Sequence, residues 1–260
     1  LQKQPAGIRN LASLGDITAI NIAGTQLDAS HEAIFAIKNL DGGGELLMYS
    51  DTGARAHKVW TSPQPAAREF TGIAADSVTR SIYLAAPAPG LGSSQILRLD
   101  LSKGISNAHL VSLGAIVLPE SPAVIGPIAV DGSKGRLFAI DKYQGILVSV
   151  DIPVEGGAPV FYTEKMSVSH SLHDPRALAV DPANNILYAI AEHKVWKLQV
   201  QGTSASMQQF GPQNTFRSPS ALAMGLGGNI WVGDERNHRV YEISPDGKVR
   251  SSLPAQQEAQ

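Results

Sequence analysis

Histidine and acidic residues lie close together at two places in this sequence, and such side chains can bind a cation or a polar ligand. The first place holds His170, His173 and Asp174, which form a His-x-x-His-Asp segment. Two histidines at this spacing face the same side only within a helical turn, and Pro175 follows at once. The residues therefore favour hydrogen bonding within a loop, with metal binding as the less favoured alternative.

The second place is the segment DERNH at 234–238, where oxygen and nitrogen donors are dense. A segment of this kind either binds a ligand or forms a turn that satisfies its own backbone. Polar and aromatic residues elsewhere are further candidates for contacts with a polar ligand. The full set of predicted ligand-binding residues is Asp141, Tyr143, His173, Arg176, His193, Arg217, Asp234, Glu235 and His238.

The sequence offers no familiar catalytic pattern. It contains no cysteine, which excludes disulfides, thiolate metal sites and a cysteine nucleophile. The nucleophile pattern Gly-x-Ser-x-Gly is also missing. The GGG run at 42–44 is followed by no helical pattern that could present its N-terminus to a phosphate. We therefore predict no catalytic residue, no metal ligand and no cofactor.

Charge and hydropathy argue against two classes of partner. The 21 basic and 23 acidic residues leave a net charge of −2, which is not the electrostatic signature of a protein that binds nucleic acid or an anionic membrane. No apolar run approaches the roughly 20 residues that a membrane helix needs. The apolar fraction of 43% is ample for a core. We expect a soluble protein that binds no nucleic acid.

A phrase with varying spelling recurs at 72–85, 127–140, 177–190 and 221–233, with a looser copy at 19–37. Each copy has an apolar run, a polar turn and a second run rich in β-branched and aromatic residues. The second runs begin 43 to 55 residues apart, with a mean of 49. That period matches the roughly 40–50 residues of a four-stranded propeller blade.

The turn-forming residues indicate an all-β fold. With 25 glycines and 16 prolines interrupting the chain, no long amphipathic helix is expected. In the fourth unit the strands, named a to d, are predicted at 176–181, 186–191, 194–200 and 206–210. The Asp that ends strand a is predicted to cap the next turn, with a ring of calcium ligands as the alternative. These residues are Asp76, Asp131 and Asp181.

The segment NIWVGDERNHRVYEISPDGKV at 229–249 resembles an NHL-type repeat, and ALAVDPANNILYAI at 177–190 resembles the same repeat and its YVTN-like relatives. The resemblance implies a bacterial β-propeller of four-stranded antiparallel blades. It also implies that DERNH forms a turn whose polar groups cap the backbone. Such families are most often six-bladed, but only five units are recognisable here, so five blades are favoured and six is the alternative.

The whole chain, 1–260, is predicted to form a single propeller domain. The blades are expected at about 15–62, 68–115, 124–163, 174–211 and 217–253. The segment 7–16 resembles 107–115 and is a candidate closing strand for the last blade.

Antiparallel strands place the b–c loops and the connections between blades on one face, and these are the longer and more varied loops. We therefore expect a non-catalytic binding module that uses this face to bind a protein, peptide or glycan. The first alternative is a metal-dependent hydrolase or lyase of the lactonase type, with Ca²⁺ or Zn²⁺ at the channel mouth. Against it, the starts of the predicted a strands offer too few carboxylates for a cation. A redox accessory or sensor domain is a third possibility.

The ends of the chain favour an exported protein. The sequence begins at Leu1 without an initiator methionine, and its first and last stretches, LQKQPAG and PAQQEAQ, are rich in Gln and Ala. Leu1 is interpreted either as the residue that follows a removed signal peptide or as a boundary chosen for expression. We expect a periplasmic or secreted location.

Overall fold

The structure is a computed structural model. It describes residues 17–28, 31–40, 43–50, 57–61, 70–76, 78–88, 92–103, 108–116, 118, 123–152 and 163–254, and in 17–61 it describes the backbone alone. The candidate closing strand at 7–16 lies outside these residues.

The described strands form five four-stranded sheets, one for each repeat unit. Sheet 1 contains β1 (Ile17–Asp28), β2 (His31–Leu40), β3 (Gly43–Ser50) and β4 (His57–Thr61). Sheet 2 contains β5 (Gly72–Asp76), β6 (Ser81–Pro87), β7 (Ser94–Asp100) and β8 (His109–Ala115). Sheet 3 contains β9 (Ile125–Asp131), β10 (Arg136–Asp141), β11 (Leu147–Asp151) and β12 (Thr163–Lys165). Sheet 4 contains β13 (Ala177–Asp181), β14 (Ile186–Ala191), β15 (Lys194–Gln201) and β16 (Ser204–Gln209). Sheet 5 contains β17 (Pro219–Met224), β18 (Ile230–Asp234), β19 (Arg239–Ile243) and β20 (Val249–Pro254).

Within each sheet the strands follow chain order and pair antiparallel. The first strands of successive sheets contact one another, and β17 of the last sheet contacts β1 of the first. A ring of sheets joined through their inner strands is a β-propeller, so the all-β prediction from the repeat is confirmed. The number of blades in the whole chain stays a prediction, because it also depends on residues outside the described ranges.

The core lies between neighbouring sheets, since sheets 2, 3 and 4 bury side chains on both of their faces. Tyr83 of sheet 2 belongs to one buried cluster with Leu137 and Val148 of sheet 3. Tyr188 of sheet 4 belongs to another with Val232 of sheet 5. Burying both faces explains why apolar residues occupy successive positions in strand b of each unit instead of alternating with polar ones.

The acidic residues that end the a strands cap the turns that follow, as the sequence predicts. The Asp76 carboxylate accepts hydrogen bonds from the N–H of Val78 at 2.9 Å and the hydroxyl of Thr79 at 2.6 Å. Asp181 accepts from the N–H of Ala183 at 3.1 Å and the side-chain amide of Asn184 at 2.8 Å. Asp131 makes the corresponding bonds with Ser133 and Lys134.

Candidate functional site

The longer loops of the described residues lie on one face, which we call the loop face. It comprises the b–c turns at 141–145, 192–193 and 234–238 and the connections at 166–176 and 210–218 that lead to the next inner strand. All nine predicted ligand-binding residues lie on this face. They divide into buried residues that hold loops in place and exposed residues beside them.

Asp141 ends β10 and is only 1% exposed. Its carboxylate accepts hydrogen bonds from the N–H of Tyr143 at 2.9 Å, within its own turn, and from the N–H of Val124 at 2.8 Å. Val124 precedes β9, the inner strand of the same sheet. Asp141 therefore fixes both the b–c turn and the entry of the chain into the blade.

Asp234 ends β18 and is buried in the same way. It accepts hydrogen bonds from the N–H groups of Arg217 at 2.7 Å and Ser218 at 3.1 Å, in the connection to β17. It also accepts from the N–H of Asn237 at 3.0 Å, in its own turn. In sheet 4 the corresponding position is Ala191.

In sheet 4, backbone atoms alone join the b–c turn to the connection that precedes the inner strand. There the N–H of Glu192 donates to the carbonyl of His173 at 3.0 Å. Glu192 and His193 have φ of 52° and 59°, which is the left-handed pair that a two-residue hairpin turn requires. Two of the predicted residues, His173 and His193, are thereby brought to one edge of the loop face, and both side chains are exposed.

Arg176 joins sheet 4 to sheet 5. Its guanidinium lies 3.3 Å from the Asp174 carboxylate, 3.4 Å from the Ser218 hydroxyl and 3.9 Å from the Glu235 carboxylate. The two carboxylates are 58% and 65% exposed, so each ion pair contributes little to stability. Their effect is to hold the arginine at the boundary between two blades, beside the inner strands.

The remaining predicted residues project from these turns into solvent. Tyr143 is 71% exposed, although its backbone is held by Asp141. Arg217 is exposed while its N–H is held by Asp234. His238 is exposed in a turn where its φ is 49°, and its N–H donates to the Glu235 carbonyl at 3.3 Å. Exposed side chains thus sit on backbone that is already fixed.

The His-x-x-His-Asp segment does not converge on one point. The ring of His170 packs edge-on against Trp196, with centroids 4.7 Å apart, whereas Asp174 turns to Arg176. In the part of the chain that the structure describes, no three histidine or acidic side chains are grouped so that they could hold a metal ion.

Two further residues of this face, Ser218 and Asn237, make side-chain hydrogen bonds but are not in the set of predicted ligand-binding residues. Ser218 accepts from Arg176, and Asn237 makes three side-chain hydrogen bonds, to the Thr215 carbonyl, the Asp234 carboxylate and the Tyr241 hydroxyl. The Asn-His-Arg triplet that marks the resemblance to the NHL-type repeat contains Asn237. Nothing in the sequence around Ser218 distinguishes it from other loop serines.

The sequence matches no known family profile and no curated protein. The structure is similar to several solved β-propeller structures. One is a chain of the nidogen/laminin complex, 15% identical, covering 86% of this chain and 93% of that one, with a TM-score of 0.53. Another is virginiamycin B lyase from Staphylococcus aureus, 11% identical, covering 97% and 71%, with a TM-score of 0.57. A third is YCF48 bound to D1 peptide, 12% identical, covering 97% and 71%, with a TM-score of 0.54.

The fold is a β-propeller. Identities this low establish the architecture alone, and the similar structures include both an enzyme and proteins solved with a protein or peptide partner. Membership of the NHL-type family stays a prediction. In the described ranges no helix has the length and apolar character to cross a membrane.

Proposed function

We propose that this protein is a non-catalytic binding module that uses its loop face to bind a protein, peptide or glycan. One observation carries the proposal: the two buried carboxylates of this face, Asp141 and Asp234, are engaged by backbone N–H groups, and the side chains beside them are exposed. Loops fixed before binding lose little conformational entropy when a partner arrives. Carboxylates that are used to hold loops are poorly placed to act on a substrate.

The exposed groups suit a polar partner. Tyr143 offers a phenol ring, Arg217 a guanidinium, and His173, His193 and His238 offer imidazoles. Aromatic and arginine side chains contribute much of the energy at protein interfaces. The presence of protein- and peptide-bound propellers among the similar structures supports the same proposal.

The test probes immobilised protein with arrays of peptides and of glycans, followed by affinity measurement on the hits. The loop-face variant combines Tyr143→Ala with Arg217→Ala. The matched control is Val78→Ala, because Val78 is 65% exposed in an a–b turn on the opposite face. We expect the loop-face variant to lose about tenfold or more in affinity and the control to lose none. Hits that bind the loop-face variant normally would contradict the proposal.

The enzymatic alternative has its own readout. Metal content is measured by mass spectrometry on protein purified without chelator, together with thermal shifts in Ca²⁺ and Zn²⁺. A stoichiometric metal, or a shift of several degrees, would overturn the binding-module proposal in favour of a metal-dependent hydrolase or lyase.

A further inference from the structure

Within the part of the chain that the structure describes, the outer edge of sheet 4 is paired over only half of its length. β16 is the last strand of its sheet, and the segment that follows β12 meets its beginning. There the Ser167 N–H donates to the Thr203 carbonyl at 2.9 Å, and the Ala205 N–H donates to the Ser167 carbonyl at 2.9 Å. Ala205 therefore directs its backbone groups away from β15.

No described strand pairs with the second half of the same edge. Backbone groups in a strand alternate in direction, so Met207 and Gln209 also direct their N–H and C=O groups outward. The Phe210 N–H has the opposite direction and donates to Val195 of β15 at 2.8 Å, as that alternation requires. Among the residues that the structure describes, none pairs with the outward groups of Met207 or Gln209.

A groove of about 490 Å³ borders this half of the edge. One wall is the end of sheet 4, and the other is the β19–β20 turn of sheet 5. Its lining includes Lys197, Gln208, Phe210, Pro212, Pro245 and Lys248. The volume falls in the range of ordinary ligand pockets.

The groove has two lysines and one carboxylate. Lys248 pairs with Asp246 at 2.9 Å, and hydrogen bonds from Ser244 and then Lys248 lower the pKa of Asp246 to about 2. The Lys197 ammonium donates to the Pro245 carbonyl at 3.3 Å and lies over the Phe210 ring at 5.4 Å. An ammonium carries three N–H donors, so Lys197 can still donate to a bound carboxylate.

We propose that an extended peptide segment bearing an acidic side chain adds as a further strand along Met207–Gln209. The peptide backbone pairs with the outward groups of β16, and its acidic side chain enters the groove and meets Lys197. This is peptide recognition by strand addition, in which the main chain supplies affinity and the pocket supplies specificity. A second copy of this protein is a less suitable occupant, because it would bring the same pair of lysines to the edge again.

A selection from a displayed library of short random peptides tests the proposal. We expect the enriched sequences to share an Asp or Glu within a stretch of β-branched residues. The decisive variant is Met207→Pro, which removes one outward N–H and leaves every bond to β15 in place, a position where edge strands tolerate proline. Met207→Ala is the matched control, because it shortens the same side chain and keeps the N–H.

Loss of the backbone bond should weaken binding of the enriched peptides to the proline variant by about tenfold relative to the alanine variant. Lys197→Met should weaken binding severalfold and reduce its dependence on salt. If the proline variant folds poorly, a peptide N-methylated at the amide that faces Met207 removes the companion bond, in which the peptide N–H donates to the Met207 carbonyl, and should weaken binding to a similar extent.

Four results would overturn the proposal, and the last of them concerns dimerisation. The first is that no peptide is enriched. The second is that enriched peptides bind the proline and alanine variants equally. The third is that the loop-face variant Tyr143→Ala with Arg217→Ala loses them while Met207→Pro retains them, which would assign the peptides to the loop face. Dimerisation in light scattering that Met207→Pro abolishes would identify a second copy as the occupant instead.

Discussion

At the scale of single residues, the acidic side chains of this protein fix loops. Asp141 and Asp234 occupy the same position in two blades, at the end of strand b, and each joins its own turn to the connection before the inner strand. Asp76 and Asp181 cap turns on the opposite face. A buried carboxylate is stable in such a place because several N–H groups compensate for its lost hydration.

Replacing Asp234 with Ala should destabilise the fold by about 2–4 kcal/mol, because the buried N–H of Ser218 and the partly buried N–H groups of Arg217 and Asn237 would lose their acceptor. Glu235→Ala is the control, since that carboxylate is 65% exposed and should change stability by less than about 0.5 kcal/mol. Urea unfolding followed by tryptophan fluorescence measures both. Equal effects of the two substitutions would show that Asp234 does not hold the loop.

The sequence predicts residue roles only where a local pattern determines the partner. Asp76 and Asp181 stand directly before their turns, so their capping role follows from the sequence around them. The partners of Asp234 at 217 and 218 lie in another loop, so the sequence could not show that its carboxylate is buried and engaged. Arg176 and Ser218 meet for the same reason, across a blade boundary that no local pattern encodes.

At the scale of elements, strand b carries much of the packing in sheets 2, 3 and 4. Tyr83, Phe138 and Tyr188 occupy equivalent positions in three b strands and are buried between sheets. Burial raises the pKa of the Tyr188 hydroxyl to about 12, and the charge of Asp181 adds to the effect. Burial also raises the pKa of Tyr83, which packs between sheets 2 and 3.

These raised values predict an alkaline unfolding transition. The Tyr188 hydroxyl ionises less readily in the folded protein than in the unfolded chain. Its contribution to the free energy of unfolding is therefore fully present below the usual pKa of 10.0, and it is lost as the pH rises through about 12. Urea unfolding across this range should show the decline. Tyr188→Phe should make this decline shallower, because it removes the ionisable hydroxyl. The natural Phe138 at the equivalent position of sheet 3 shows that a phenyl ring fits there.

The order of the elements follows from the repeat, and the groove beside β16 does not. The predicted strands 186–191 and 194–200 correspond to β14 and β15, because short apolar runs between turn residues have few other arrangements. The groove arises where the end of β16 meets the turn of the next sheet. Such a meeting depends on how strongly each sheet twists, which sequence periodicity does not encode.

At the scale of the whole molecule, the inner strands of neighbouring sheets lie very close together. A Cβ on Gly72 of β5 would lie 2.5 Å from the carbonyl oxygen of Gly126 on β9. Only glycine permits this distance between the backbones of two sheets. The same architecture occurs in proteins of different functions, since the similar structures at 11–15% identity include a lyase and a chain of the nidogen/laminin complex.

A substitution at Gly72 tests directly whether β5 and β9 lie as close together as the structure shows. Gly72→Ala should destabilise the protein by about 1–3 kcal/mol, because the added methyl group meets backbone that cannot rotate away. For a chain of this size that loss lowers the Tm by about 2–4 °C for each kcal/mol. Gly126→Ala is the matched control, since its Cβ would lie 3.7 Å from the nearest atom, the Ile140 carbonyl oxygen, an ordinary contact.

Neither glycine has a left-handed backbone, so conformational strain affects neither substitution and the steric term is isolated. Because alanine restricts the unfolded chain, the control should be neutral or slightly stabilising, by up to about 1 kcal/mol. Thermal unfolding of both variants measures the difference. If the Gly72→Ala protein is as stable as the control, β5 and β9 lie further apart at Gly72 than the structure shows.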